Sequence, residues 1–204
     1  MIIEDTSELE IPDVIETKRF ILRPYQEGDG QMFFDMLEHD NRDHLKELLG
    51  LVASSDEIEF VEKWICDLGK DWKDHDRFVM GIWSKSTQDF LGHIWIEPMN
   101  WDSGHFEIGW FVDKNHQGKG IITEATIRAL IFIFNNLNAH KVTVRIRENG
   151  PYAIKSKNIA ERCGFIYEGL LRETIKLENG DYTSETYYGL LKSEFVSLEI
   201  YKSM

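Results

Sequence analysis

The sequence predicts a mixed α/β fold, and two features in the order of its apolar segments indicate this class. The first is a pair of strand-like segments, residues 78–83 and 90–96, joined by a polar turn. The second is a strand, a glycine loop, a long apolar helix, a strand and another helix, in that order, between residues 106 and 162. The 204 residues contain no internal repeat and no linker rich in Pro, Gly or Ser. We therefore expect one domain, residues 1–204, with a polar N-terminal leader at 1–16.

The first third of the chain opens with a strand and two short helices. Residues 19–23 form a short strand that ends before a proline, a residue tolerated at strand ends. Asp29 is the predicted N-cap of the first helix. A second helical segment, residues 43–49, stops at Gly50, because glycine is favoured just after a helix end.

A longer helix and a hairpin follow. Residues 54–57 (SSDE) match the pattern of a capping box, which predicts a helix start. Behind it, apolar residues recur at the spacing of one helix face: Ile58, Val61, Ile65, Leu68 and Trp72. The segments 78–83 and 90–96 then form the predicted hairpin.

The second half alternates strands and helices. Residues 106–112 are a predicted strand, and 123–135 are a helix that is apolar on nearly every side, which favours burial. Residues 141–147 alternate Val and Ile with charged or polar residues, as in a strand with one buried face. A helix at 156–162 ends at Gly164. Two last strands and the turn between them complete the chain: 165–167, 186–191 and 178–181.

The composition favours a cytoplasmic protein with a cationic substrate. The formal net charge is −13, and no block of Lys and Arg is present, which argues against nucleic acid as a partner. An acidic surface favours an amine, either a small molecule or a basic protein N-terminus. No apolar run is long enough to cross a bilayer, and the acidic start does not resemble a signal peptide, so we expect no membrane partner. We expect a monomer or a homodimer.

The cysteines and histidines do not indicate a metal site. Cys66 and Cys163 form no CxxC pair, and the seven histidines include no HxH or HxxxH spacing. Cys163 is interpreted as a packed residue and not as a nucleophile. His93 and His105 fall on neighbouring predicted strands, where we interpret them as polar surface.

The stretch NHQGKGIITEA, residues 115–125, carries the strongest local signal. Unpaired N–H groups at the start of a helix bind phosphate, and Gly118 and Gly120 permit close approach and positive φ. The P-loop pattern GxxxxGK[ST] and the dinucleotide pattern GxGxxG both fail to match. The spacing alone leaves an anion-binding loop and a plain strand-to-helix turn equally supported.

Four segments in series carry a family resemblance: QGKGII at 117–122, TKRFILRP at 17–24 with Asp29, FEIGWFV at 106–112, and SKNIAERCGF at 156–165 with Glu168, Gly169 and Arg172. Together they resemble the GNAT superfamily of acetyltransferases, in particular its Rim-type branch of ribosomal-protein N-terminal acetyltransferases. The matches span residues 17–191. The resemblance implies the GNAT fold, a mixed, mostly antiparallel twisted sheet of about six to seven strands flanked by about four helices.

The resemblance also implies acetyl-CoA as co-substrate, no metal, and a set of cofactor-binding residues: Phe111, Val112, Gln117, Gly118, Lys119, Gly120, Ile121, Ile122, Thr123, Asn149 and Ser156. Backbone groups near the first two are expected to hold the thioester oxygen and the pantetheine amides, and the glycine loop is expected to hold the pyrophosphate. The sequence departs from the family at Ile122, where Gly or Ala is usual, and at Ala153, where Asn is usual. Asn149 is expected to replace that asparagine.

Two residues are the candidates for acid–base chemistry. Glu107 interrupts an apolar strand, so its carboxylate is either functional or directed to solvent. The resemblance, in which this position often holds the base, favours the base role. Ser156 matches the serine that Rim-type enzymes place near the thioester sulfur as acid, and a helix N-cap is the equally supported alternative. Tyr152 is the second candidate for the acid.

The leading hypothesis is therefore an N-acetyltransferase in which an amine attacks acetyl-CoA directly. A protein N-terminal amine fits the Rim-type resemblance, and a polyamine or aminoglycoside-like amine is the alternative acceptor. A non-catalytic acyl-CoA-binding module and an unrelated nucleotide-binding α/β protein are the rival classes.

Overall fold

The structure is a computed structural model that describes residues 9–177 and 179–201. Its strands are β1 (Ile15–Glu16), β2 (Phe20–Pro24), β3 (Phe78–Ser84), β4 (Phe90–Asn100), β5 (His105–Val112), β6 (Lys141–Arg147), β7 (Ile166–Lys176) and β8 (Tyr182–Leu191). In the described part of the chain these eight strands follow the order β1-β2-β3-β4-β5-β6-β8-β7. β5 pairs with β6 in parallel, and the registers of β1–β2, β2–β3, β3–β4, β6–β8 and β7–β8 are antiparallel. The predicted mixed, mostly antiparallel sheet is thus confirmed, with one strand more than expected.

The α-helices are α1 (Asp29–Met36), α2 (Arg42–Leu49), α3 (Leu51–Ser54), α4 (Ile58–Asp74), α5 (Ile121–Asn135), α6 (Ala153–Arg162) and α7 (Lys192–Phe195). A π-helical turn, Leu37–Asn41, joins α1 to α2. Short 3₁₀ turns occur at Lys114–His116 and Glu199–Tyr201. The helices predicted from periodicity are all present, and α5 and α6 begin two and three residues earlier than expected.

The chain divides into two compact units, which are described separately. The loop unit comprises Ile11–Glu97 and Trp110–Arg128, and it holds the glycine loop. The carboxylate unit comprises Met1–Glu10, Pro98–Gly109 and Ala129–Met204, and it holds Glu107. The expectation of a single domain remains a prediction, to be tested by unfolding.

The loop unit is built on β1 to β4, with α1 and α4 packed on its core. The residues of α4 that were predicted to share a face are buried at Val61, Ile65, Leu68 and Trp72, which confirms the helical spacing. The long helix α5 was predicted to be buried from its apolar character, and this is also confirmed, because most of its side chains are buried.

The start of α1 differs from the prediction. Asp29 is the first residue of the helix and Gly28, with φ of 95°, is its N-cap. The Asp29 carboxylate instead forms a bidentate ion pair with Arg23, at 2.6 and 2.9 Å. Glu62 of α4 accepts hydrogen bonds from the backbone N–H groups of Gly28 (2.6 Å) and Gly30 (2.8 Å). A carboxylate from another helix therefore satisfies the open N-terminus of α1.

Two further predictions, for the start of α4 and for the N-terminal leader, are corrected. The capping box at 54–57 does not form, because Glu57 is the N-cap of α4 and no side chain caps that helix. The end of the predicted leader is part of the sheet, because Ile15–Glu16 pairs with Leu22 and Ile21 of β2. The first eight residues of that leader, and Glu178 of the predicted last turn, lie outside the described residues.

The carboxylate unit has one apolar and one polar face. On β5 and β6 buried apolar side chains alternate with polar ones. The buried apolar set is Phe106, Ile108, Val142, Val144 and Ile146, and two of the alternating polar residues, Glu107 and Thr143, are buried as well. β7 and β8 are longer than predicted and pair in an antiparallel register with irregularities after Tyr167 and Leu171.

The two singled-out histidines differ from each other. His93 is buried, with 4% of its surface exposed, and its ring stacks on Phe111 at 4.8 Å. Its Nδ1 lies 3.0 Å from the Tyr25 hydroxyl. Its interpretation as polar surface is therefore wrong. His105 is half-buried and its Nε2 lies 2.6 Å from the Thr143 hydroxyl.

Membrane-spanning helices and metal-binding clusters are both absent from the described residues. None of the helices there combines the length and the apolar character needed to cross a membrane. In the same ranges, 9–177 and 179–201, no group of three or more His, Cys, Asp and Glu residues is arranged to hold a metal ion.

Candidate active site

The glycine loop presents exposed backbone at the start of α5. Gly118 and Gly120 have φ of 76° and 71°, a region that side chains disfavour. A Cβ added to Gly118 would meet no atom within 4 Å, so this side of the loop is open. The Gly120 carbonyl accepts the first helical bond, from Glu124 N–H at 3.2 Å. The loop therefore ends at the first turn of α5, where backbone N–H groups of a helix can bind a phosphate group.

Arg19 of the β1–β2 connection fixes the end of this loop. Its Nε donates to Glu124 Oε2 at 2.7 Å, and its terminal nitrogen donates to the Lys119 carbonyl at 3.0 Å. The Arg19 backbone N–H donates to the other carboxylate oxygen of Glu124 at 3.0 Å. Burial opposes ionisation of Glu124, but hydrogen bonds from Thr17 and Arg19 outweigh it and lower its pKa. One arginine thus holds both the loop backbone and the first turn of α5.

Asp113, directly after β5, fixes the beginning of the loop. Its carboxylate accepts from the Asn41 side chain (2.9 Å) and the Asn115 backbone (3.0 Å), and its other oxygen lies 2.9 Å from His116 Nδ1. Burial opposes ionisation of this carboxyl group, but these hydrogen bonds lower its pKa. Asn41 is fully buried and also accepts from Lys114 N–H at 2.8 Å. The loop is therefore anchored at both ends.

The side chains of the loop point in different directions. Ile121 and Ile122 are each 4% exposed, so the larger residue at the family's small position packs inside the protein. Lys119 is exposed, and its Nζ contacts the Asn115 carbonyl at 3.3 Å. Thr123 is half-buried in the first turn of α5. Lys119 is the side chain available to add positive charge at an exposed anion.

The last residues of β5 differ in the direction of their backbone groups. Asp113 N–H donates to the Leu91 carbonyl of β4 at 2.9 Å, so Phe111, two residues earlier, also directs its backbone toward β4. Val112 directs its groups to the opposite edge, where its carbonyl accepts from His44 Nε2 at 3.1 Å. The Gln117 side-chain amide lies 3.4 Å from the same ring nitrogen. A backbone contact to a cofactor therefore stays a prediction for Val112, whereas the backbone of Phe111 is directed to β4.

Glu107 is buried and ion-paired. Only 7% of the residue is exposed, which makes the solvent-directed alternative wrong. Its Oε2 accepts a hydrogen bond from Arg145 Nε of β6 at 2.6 Å. This hydrogen bond raises the pKa of Arg145, so the guanidinium stays charged. A fixed positive charge therefore adjoins the candidate base.

Ser156, Tyr152 and Asn149 lie on or just before α6. The helix begins at Ala153 with Tyr152 at its N-cap, and Ser156 N–H donates to the Tyr152 carbonyl at 2.9 Å. The N-cap interpretation of Ser156 is therefore wrong, because the residue lies inside the helix. Asn149 is exposed with φ of 60° and lines a cavity of about 400 Å³ beside Lys157 of α6. The roles of Ser156 and Asn149 remain predictions.

The structure thus groups the predicted residues by unit. In the loop unit, Val112 and residues 117–123 are joined by His44 and the loop anchors. In the carboxylate unit, Glu107 lies on β5, while Asn149 and Ser156 lie before and within α6. Three features of the site were not predicted from the sequence: Arg145, the pairing of Arg19 with Glu124, and Asn41. The alternation of charged residues along residues 141–147 was a signal for Arg145, but not for its pairing with Glu107.

Comparisons with known proteins identify the family of this chain. The sequence model of the family described as "Acetyltransferase (GNAT) domain" matches residues 19–166. Probable N-acetyltransferase YjcK of Bacillus subtilis (strain 168) is 24% identical over 186 residues, 89% of this chain and 98% of the relative. Putative ribosomal N-acetyltransferase YdaF of the same organism is 30% identical over 127 residues, 61% and 67% of the two chains. Spermidine N(1)-acetyltransferase of Vibrio cholerae is 28% identical over 121 residues, 59% and 66% of the two chains.

Solved structures share the fold. The Microcin C7 self immunity acetyltransferase MccE, in complex with acetyl-CoA and AMP, has a TM-score of 0.76 at 20% identity and covers 89% of this chain and 97% of its own. The ribosomal L7/L12 alpha-N-protein acetyltransferase RimL, in complex with coenzyme A, has a TM-score of 0.76 at 17% identity, with 87% and 97% covered. At these identities the likeness shows the fold alone. Because the family model matches well over half of the sequence, the chain belongs to the GNAT acetyltransferase family and is an acetyl-CoA-dependent N-acetyltransferase.

Proposed function

We propose that the protein acetylates a protein N-terminal amine by direct attack of that amine on acetyl-CoA. The observation that carries this proposal is the buried carboxylate of Glu107 in β5, whose Oε2 accepts a hydrogen bond from Arg145 Nε at 2.6 Å. A carboxylate in this position can bind an ammonium group and remove its proton. The similarity to relatives named as ribosomal N-acetyltransferases supports a protein N-terminus as the acceptor.

The other predicted residues divide the remaining tasks. Acetyl-CoA supplies the thioester carbonyl when it is bound. Backbone N–H groups at the start of α5, with Gly118 and Gly120, hold its pyrophosphate, and Lys119 adds positive charge. Ser156 donates a proton to the leaving sulfur, with Tyr152 as the alternative donor.

The thiols support direct attack over a covalent acetyl-enzyme. Cys163 is fully buried, and burial raises its pKa to about 12, so it does not form the thiolate that a carrier needs. Cys66 is exposed, and slight desolvation together with the neighbouring Glu62 raises its pKa as well. Neither thiol has the environment of an activated nucleophile.

A small amine is the second candidate acceptor. The similarity to a spermidine N(1)-acetyltransferase and the net charge of −13 both favour a cationic small molecule. The two acceptors are distinguished by which of them gives the higher kcat/KM.

Two measurements test the proposal. Isothermal calorimetry should detect binding of acetyl-CoA and of CoA, and a thiol-release screen over amines and amidated peptides should identify the acceptor. Glu107→Gln keeps the shape of the side chain and can still accept from Arg145, so acetyl-CoA binding should persist. Its amine-dependent kcat should fall about 10²- to 10⁴-fold, the usual contribution of a general base. Unchanged turnover would remove Glu107 from the base role, and the absence of any binding heat would contradict the cofactor site.

A further inference from the structure

The two members of the Glu107–Arg145 ion pair differ in their exposure to solvent. β5 and β6 run parallel with Glu107 opposite Thr143, and Arg145 lies two residues further along β6 on the same face. The Glu107 side chain is 10% exposed, whereas the Arg145 side chain is 36% exposed. The carboxylate is therefore the inner member of the pair, and the guanidinium is the member open to solvent.

The guanidinium has donors left over for a ligand. The bond to Glu107 uses Nε, and an arginine carries four more N–H donors on its two terminal nitrogens. Tyr187, opposite Arg145 on β8, hydrogen-bonds to the guanidinium, and Glu185 adds a nearby negative charge. A planar cation with terminal donors at its exposed end suits a carboxylate or phosphate.

Binding of an amine changes the balance of this pair. When the acceptor's ammonium group binds Glu107, a second cation lies beside Arg145, and when Glu107 then takes its proton, Arg145 loses its closest counter-charge. We propose that Arg145 is a specificity-determining residue, and that the acceptor is a primary amine bearing an anionic oxygen group, carboxylate or phosphate, close to the reacting nitrogen. The ammonium then binds Glu107 and the anion binds Arg145. This inference rests on the proposed function, because it assumes that Glu107 receives the amine.

The step balances in charge and atoms. Glu107 takes one proton from the ammonium, the freed nitrogen bonds to the thioester carbonyl carbon, and the carbon–sulfur bond breaks. The departing sulfur takes a proton from Ser156 and becomes the thiol of CoA, and Ser156 recovers a proton as the nitrogen loses its second proton and the neutral amide forms. Because an amide carries no positive charge, Glu107 returns to Arg145 once its own proton is released, which favours departure of the product.

Arg145 distinguishes two kinds of acceptor. A polyamine brings several positive charges and no anion, so Arg145 acts against it at short range. The net charge of −13 attracts cations from a distance, but it does not decide which amine fits beside the guanidinium. The local pair therefore favours an acidic or zwitterionic acceptor, in contrast to the basic N-terminus that the overall charge favours.

The test compares matched acceptors on the full-length protein. The first arm uses three amidated peptides, Ser-Glu-Ala-Ala, Ser-Gln-Ala-Ala and Ser-Lys-Ala-Ala, and the second uses free serine against serinamide, with spermidine as the cationic probe. The peptide arm reports a protein N-terminus, and the serine arm reports a small molecule. In one of the two arms, the wild type should acetylate the anionic member at least about tenfold faster in kcat/KM than its neutral isostere. Spermidine should be slower than that anionic acceptor.

Variants then assign the preference to Arg145. Arg145→Gln should reduce the ratio of anionic to neutral acceptor to about one, and Arg145→Lys, which keeps the charge, should restore part of it. Arg172→Gln removes an exposed arginine of β7 in the same unit and should leave the ratio unchanged. Thermal melts and acetyl-CoA calorimetry on each variant show that the fold and the cofactor site persist, and the ratio is insensitive to the fraction of active protein.

Two results would overturn the inference separately from the proposed function. Equal rates for anionic and neutral acceptors in both arms, or a preference that survives in Arg145→Gln, contradict the role of Arg145 while acetyl transfer stands. Binding of acetyl-CoA without thiol release for any amine contradicts the proposed function, and the inference falls with it.

Discussion

Ser156 is the residue whose local setting most affects the proposed chemistry. A serine at an N-cap uses its hydroxyl oxygen on the backbone, but Ser156 lies inside α6, where its own N–H donates to Tyr152 at 2.9 Å. Its half-buried hydroxyl is therefore not needed to start the helix. It is left for one of two roles, the acid of the reaction or a structural side chain.

Replacement of Ser156 separates these two roles. Ser156→Ala should lower kcat about a hundredfold, the lower end of general acid–base contributions. It should change the free energy of unfolding by less than about 0.5 kcal/mol, because alanine is favoured inside helices, whereas loss of a capping hydroxyl costs about 1 kcal/mol. Tyr152→Phe is the matched control and should retain the wild-type rate. The opposite result, with the rate lost in Tyr152→Phe alone, would assign the acid role to the tyrosine. Steady-state kinetics and urea melts give both quantities.

The glycine loop is the element on which cofactor affinity depends, because its N–H groups bind an anion well only when they are already oriented. Arg19→Gln removes the bonds to Glu124 and to the Lys119 carbonyl. We expect acetyl-CoA to bind about tenfold more weakly, which corresponds to about 1.4 kcal/mol. Arg128→Gln is the control, because Arg128, on the helix α5 that follows the loop, donates a hydrogen bond to the Glu16 carbonyl instead. Equal affinities of the two variants in calorimetry would show that Arg19 does not position the loop.

The packing of β4 against α4 makes stability depend on pH through His93. This ring is buried beside Tyr25, Trp64 and Phe111. Burial, with a smaller contribution from the charge of Arg77, lowers its pKa to about 3, from 6.5 in an unfolded chain. The folded state then binds fewer protons than the unfolded state between these values. Stability contributed by neutral His93 is therefore present above pH 6.5 and is lost as the pH falls toward 3.

Urea unfolding at two pH values measures this effect. Between pH 6.5 and 5 the contribution of His93 to the loss of stability amounts to about 1.7 kcal/mol. The wild type should lose that much more free energy of unfolding than His93→Phe over this interval. His39→Gln, which replaces an exposed histidine of the same unit, should follow the wild type. Parallel losses in wild type and His93→Phe would contradict the buried neutral state.

The same elements show what the sequence could and could not predict. Helix α4 and the β3–β4 hairpin were predictable, because the spacing of apolar residues is a local property of the chain. The partners that complete the site are not local. Glu62 caps a helix 34 residues earlier, Arg19 binds Glu124 across 105 residues, and Arg145 reaches Glu107 across 38. Asp29 matched the local pattern of a helix N-cap, but its carboxylate forms an ion pair with Arg23 instead of capping α1. The family resemblance located the loop and Glu107, and it carried no information on these pairings.

At the scale of the whole molecule, the property to be predicted is the cooperativity with which the two compact units unfold. Each unit is built from segments that are separated in sequence, and β5 and α5 each begin in one unit and end in the other. When one unit unfolds, a strand or helix shared by both units also loses hydrogen bonds in the part that belongs to the other unit. This sharing predicts a single transition, as expected for the one domain inferred from the sequence.

Tryptophan fluorescence provides a probe confined to one unit. Five of the six tryptophans, Trp64, Trp72, Trp83, Trp95 and Trp110, belong to the loop unit, and Trp101 belongs to the carboxylate unit. Trp101→Phe therefore leaves fluorescence that reports on the loop unit alone, while far-ultraviolet circular dichroism reports on both. We expect the two urea curves of this variant to coincide in midpoint and slope. Acetyl-CoA at about 100 times its Kd should shift both by the same free energy, about 2.7 kcal/mol. A fluorescence transition separated from the dichroism transition would instead establish two independently unfolding domains.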